Sequence, residues 1–90
     1  MDQARRYQFF GRVQGVGFRY TTASLARTCG VRGYVRNCPD GSVELVVQGP
    51  KVDVEKLLNG LGQHLGGYIE RRTEEEHHPG ETFAGFDVRH

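Results

Sequence analysis

Ninety residues with 37% hydrophobic and 26% charged side chains are the size and composition of one globular domain, and no apolar run approaches the roughly 20 residues that span a bilayer. A net charge of +1 lacks the strong basic excess of a dedicated nucleic-acid binder. The charge is unevenly spread: residues 1–48 hold seven arginines and three acids, whereas residues 49–90 hold five basic residues and eight acids, so a small anion would favour the first half.

The start, Met1 to Arg6, has basic residues but no apolar stretch behind them of signal-sequence length, and a cytoplasmic location is expected. From Arg6 to Val13, Tyr7, Phe9, Gly11 and Val13 alternate with Arg6, Gln8 and Arg12, which predicts a strand. The period then changes. Phe18, Thr22, Leu25, Ala26 and Cys29 fall on one face of a helix, and Gly30 stands where a C-terminal cap belongs. Val31–Cys38 and Ser42–Gln48 are β-branched runs joined by Pro39-Asp40-Gly41, a turn sequence in which proline presets φ and glycine accepts a positive one. Cys29 and Cys38 flank the first of these strands, which would hold their sulfurs on the order of 20 Å apart, so both read as free thiols.

Beyond Gly49-Pro50, the spacing of Val54, Leu57, Leu58, Leu61 and Leu65 predicts a second helix, weakened by Gly60 and Gly62. Tyr68–Thr73 reads as a polar strand, Glu74 to Gly80 as a solvated loop, and Phe83–Arg89 as a last strand. The order is β-α-β-β-α-β with a short extra C-terminal strand. It predicts an α+β, ferredoxin-like split βαβ domain over residues 1–90, with two helices on one face of an antiparallel sheet.

Between the first strand and first helix, Gln14-Gly15-Val16-Gly17-Phe18 offers successive backbone N–H groups at a helix N-terminus, where orphan donors and the helix dipole favour an anion. Arg19 adds a permanently charged fork that can hold two phosphate oxygens. A tight turn followed by a solvated arginine would account for the same residues. The loop lacks the Lys-Ser/Thr of a Walker loop and the third glycine of a dinucleotide fingerprint. Asn37, on its own, is equally a residue that ends a strand and begins a turn. Its parity with Val31 and Val35 places it at the sheet end where the glycine loop is also expected. Asp40 reads as a turn residue and Glu44 as a solvent-facing strand residue. His64, His77, His78 and His90 show no metal-ligand spacing, and no metal or cofactor is expected.

Residues 11–20, GRVQGVGFRY, and residues 33–44, GYVRNCPDGSVE, resemble the first and second signatures of the acylphosphatase family. The resemblance implies a metal-free hydrolase that cleaves acyl phosphates to a carboxylate and inorganic phosphate. In that reading Arg19 and the loop of Gln14, Gly15, Val16, Gly17 and Phe18 hold the phosphoryl group, which phosphate or sulfate would mimic, and Asn37 positions the attacking water. The protein is then expected to be a cytoplasmic monomer acting on a small molecule, with neither nucleic acid nor membrane as partner. The alternative is a non-catalytic ferredoxin-like module presenting an anion site or a sheet surface to a partner. A third reading, a domain of a larger carbamoyl-transfer protein, is disfavoured because no zinc-ligand cysteines follow.

Overall fold

A computed structural model describes residues 2–77 and 83–90. The first strand, β1 (Asp2–Gly11), leads through a glycine loop into helix α1 (Phe18–Cys29), followed by the hairpin β2 (Arg32–Asn37) and β3 (Val43–Pro50). Helix α2 (Lys51–Leu65) and a single 3-10 turn (Gly66–Tyr68) lead to β4 (Ile69–Glu76), and β5 (Phe86–Arg89) closes the order. The strands form one sheet in the order β4-β1-β3-β2-β5. The first four pair antiparallel, as a ferredoxin-like split βαβ requires. β5 departs from that plan: it lies parallel to β2, which makes the five-stranded sheet mixed.

Register decides what meets at each end of the sheet. Phe9 pairs with Val43 and Val43 with Asn37, so β1 and β2 finish in the same row. The parallel pairing of Arg36 with Arg89 carries His90 to that end too. Alternate residues Tyr7, Phe9, Val35, Val43, Leu45 and Val47 turn to one face and are buried under the helices. α1 contributes Phe18, Thr22, Ala23 and Ala26, and α2 contributes Val54, Leu57, Leu61 and Leu65, the faces expected from their spacing. The Phe9 and Phe18 rings are 5.2 Å apart, fixing the start of α1 over the end of β1. Gly60 does not break α2; a Cβ there would sit 3.2 Å from Leu25 Cδ2, so the missing side chain makes room for Leu25 between the helices. Neither helix is long and apolar enough to cross a membrane.

Three expectations need correction. Glu74, Glu75 and Glu76 belong to β4, not to a solvated loop, because β1 presents partners to them. Arg6 Nη1 lies 3.0 Å from Glu75, Arg5 lies 3.9 Å from Glu76, and the Tyr7 hydroxyl donates to Glu74 at 3.4 Å. Opposite charges across the ladder substitute for the apolar alternation that local pattern reading needs. The rest of the expected loop, His78–Gly80, lies outside the described residues. The last strand is also shorter than expected, starting at Phe86.

The third correction is Glu44, which is only 5% exposed. On the sheet face away from the helices it accepts hydrogen bonds from Arg6 Nε (2.5 Å), Arg36 Nε (2.6 Å) and the Tyr34 hydroxyl (3.0 Å). Burial pushes the carboxyl up, but the hydrogen bonds from Arg36, Arg6 and Tyr34 outweigh it and hold Glu44 below the usual carboxylate range. Glu75, Arg6, Glu44 and Arg36 thus run as alternating charges across β4, β1, β3 and β2. The stabilisation from a depressed carboxylate is complete above its ordinary value of 4.5 and disappears as pH falls through the lower, folded value. Glu44→Gln should therefore lower stability by about 2 kcal/mol at pH 7, and urea titrations should show that gap closing on acidification through and below pH 4.5.

Candidate functional site

The loop after β1 is shaped by Gly15 (φ 80°) and Gly17 (φ 79°), both in the left-handed region that side chains rarely adopt. Gly17 is the N-cap of α1, and no side chain among the described residues caps the helix; the first turn contains no acid. Thr21 N–H makes the first helical bond, to the Gly17 carbonyl at 3.0 Å. The amides ahead of it belong to the orphan set that every helix N-terminus presents.

Across from this loop stands the β2–β3 turn. Cys38 N–H donates to the Ser42 carbonyl (2.8 Å) and Gly41 N–H to the Cys38 carbonyl (3.1 Å). Asp40, as expected, serves the turn, accepting from the Ser42 N–H (2.9 Å) and hydroxyl (2.5 Å). Those bonds hold its carboxyl below the usual range. Gln14 ties the two segments together: its side-chain amide donates to the carbonyls of both Cys38 and Ser42 at 2.9 Å. Both amide hydrogens are thereby used.

Arg19 extends from the first turn of α1 toward the end of β5. Its Nη1 donates to the Arg89 carbonyl (3.2 Å) and lies 3.1 Å from His90 Nδ1. A guanidinium has only donors, so the contact is a hydrogen bond in the tautomer whose Nδ1 is the acceptor. Nε and Nη2 are left without a protein acceptor among the described residues.

These elements enclose a cleft of about 200 Å³ lined by Val13, Gly15, Gly17, Phe18, Arg19, Tyr20 and Asn37. Five sequence-predicted residues, Gly15, Gly17, Phe18, Arg19 and Asn37, are brought together there. Gln14 and Val16 are not in its lining: the Gln14 side chain is committed to the hairpin, and Val16 packs against the core. Sequence reasoning missed Val13, buried at the base, and Tyr20, which is 65% exposed. Tyr20 carried a signal, since a large ring off the buried stripe of an amphipathic helix has no packing reason to be there. The Thr22 hydroxyl donates to the Phe18 carbonyl within the helix (2.7 Å). A larger concavity of about 360 Å³ lies at the other end of β1, lined by residues 2–5, Glu76 and His77. Its charged groups are engaged, Arg5 with Glu76 and Asp2 with Arg32.

Among the described residues the cleft thus combines a helix N-terminus without a side-chain cap, an arginine with two donor nitrogens left over and a carboxamide able to accept from water. Groups of these chemical types can hold an oxyanion beside a solvent molecule. Comparison with known proteins agrees in fold and sequence. The acylphosphatase family model matches residues 5–88. An acylphosphatase from Bacillus subtilis superposes with a TM-score of 0.87 at 27% identity, covering 100% of both chains. One from Coxiella burnetii gives 0.85 at 28% identity, over 98% of this chain and 93% of the other. Full-length HypF, in a phosphate- and nucleotide-bound form, contains a similar unit, with a TM-score of 0.90 at 26% identity over 100% of this chain and 12% of HypF. With both glycine-loop and hairpin motifs inside the matched span, the chain belongs to the acylphosphatase family.

Proposed function

We propose that the protein, a single domain over residues 1–90, hydrolyses the carboxyl-phosphate bond of acyl phosphates without a metal ion. The reading is supported above all by the placement of Arg19 and Asn37 in one cleft with the loop that opens α1. An acyl phosphate carries a leaving group whose conjugate acid has a pKa of about 4, so no general acid is needed to protonate it. What the chain must do is hold the phosphoryl oxygens, balance their charge and set a water in line with the breaking bond.

Backbone N–H groups of residues 14–19 and the Nε and Nη2 of Arg19 bind the phosphoryl oxygens. Their positive charge offsets the negative charge spread over the equatorial oxygens while the P–O bond to the carboxylate lengthens and its electron pair passes to the leaving carboxylate. The Asn37 carboxamide oxygen accepts a hydrogen bond from the water and turns a lone pair toward phosphorus. An amide cannot take the proton at neutral pH. The proton passes to a phosphoryl oxygen of the substrate, the new P–O bond forms as the old one breaks, and carboxylate and inorganic phosphate leave. Gln14 acts at one remove, holding the loop against the turn that carries Asn37. The unit works as a monomer in the cytoplasm on a small molecule.

The decisive assay is hydrolysis of benzoyl phosphate and acetyl phosphate in a chelator. Turnover by the wild type is expected, with Arg19→Ala and Asn37→Ala each at least about 10²-fold slower, the scale for deleting a transition-state donor or a positioned water. Arg19→Ala should also raise KM, whereas Asn37→Ala should act on kcat. An inert wild type, or variants with unchanged rates, would sink the hydrolytic reading. Protection by inorganic phosphate without turnover would turn the reading to an anion-binding module. Gln14→Ala, judged by the same assay, should lose about tenfold in kcat while retaining its thermal midpoint within a few degrees, since it removes two exposed or half-buried hydrogen bonds and no core contact.

A further inference from the structure

Beside the cleft, a groove of about 370 Å³ runs between the helices, lined by Tyr20, Thr21, Ser24 and Leu25 of α1 and by His64 of α2. Tyr20 belongs to both the cleft and the groove. The space is in the range of small-molecule clefts, and Leu25, seated against Gly60, gives it an apolar floor. The geometry points to this groove as the subsite for the acyl group, selecting acyl phosphates with an aromatic or extended apolar acyl chain over acetyl phosphate. The inference rests on the hydrolytic reading of the cleft and extends it to the other end of the substrate.

Three observations converge on that occupant. First, in-line displacement puts the leaving oxygen on the side of phosphorus away from the attacking water, hence away from Asn37. Second, among the described residues Val13 and Phe18 are buried at the base of the cleft, and beyond Arg19 stand the Arg89 carbonyl and His90, so neither of those sides presents an exposed apolar surface. Third, Tyr20 is 65% exposed although it is a large ring on a packed helix, and it lines both the cleft and the groove. A planar acyl group leaving the cleft over that ring gains face or edge contact worth roughly two- to tenfold in affinity beyond its area burial.

The test uses two non-hydrolysable probes, benzoylphosphonate and acetylphosphonate, whose dissociation constants are measured by calorimetry alongside kcat and KM for benzoyl phosphate and acetyl phosphate. The wild type should bind the benzoyl probe more tightly. In Tyr20→Ala, and in Ser24→Trp, which fills the groove from its rim, that preference should fall about fivefold, with the turnover change carried by KM. A fall of at least about threefold in either variant carries the proposal, and a smaller change in both overturns it. Because the phosphonates need no turnover, the two readings separate: selectivity lost in the variants without any wild-type hydrolysis sinks only the hydrolysis. Hydrolysis with selectivity unchanged sinks only the groove.

Discussion

The pair of hydrogen bonds from the Gln14 side chain to the Cys38 and Ser42 carbonyls joins two loops that belong to different strand–turn units. Strand register brings the ends of β1 and β2 into one row, but register alone sets the sheet, not the segments beyond it. The amide supplies the missing constraint by entering the hairpin turn where two carbonyls each retain a second lone pair. A glycine loop with positive φ at two positions has many conformations open to it when unfolded, and this clamp helps select the one that faces Asn37.

How much of this was legible in the sequence depends on whether the stabilising partners were local. α1 and α2 announce themselves through the spacing of Phe18, Thr22 and Ala26 and of Val54, Leu57 and Leu61, because each helix buries one stripe on one sheet face. The β2–β3 hairpin is written in Pro39-Asp40-Gly41. β4 was legible only in part, since its glutamates are matched by Arg5, Arg6 and Tyr7 more than sixty residues away. Glu44 has the parity of an outward residue and does face away from the helices. Its burial comes from arginines on both neighbouring strands and from Tyr34, which no alternation rule encodes.

The site divides along the same line. Arg19, Asn37 and the loop glycines stand in two motifs long enough to be read as motifs, and they meet in one cleft. The Gln14 clamp, the buried Val13 base and the anchoring of Arg19 by the end of β5 depend on tertiary approach across 24 to 70 residues of chain. They become visible only when the sheet order is known. The mixed sheet itself is such a case: a four-residue strand carries no signal for its direction, and its parallel pairing with β2 is a matter of tertiary placement.

That last strand has a further consequence. β5 is an edge element of four residues, bonded through the ladder on one side only, yet its terminal carbonyl and the neighbouring imidazole hold the guanidinium of Arg19. Short edge elements detach at a lower free energy than the core they rest on. The cleft therefore has an assembly condition separate from that of the fold: fraying of a few residues at one sheet margin releases Arg19 from its anchor while the helices and the four antiparallel strands remain intact. The hold on Arg19 thus rests on the margin of the sheet, secured by Phe86 in the core and by the Arg27 bond to the Phe86 carbonyl, and not on the four antiparallel strands.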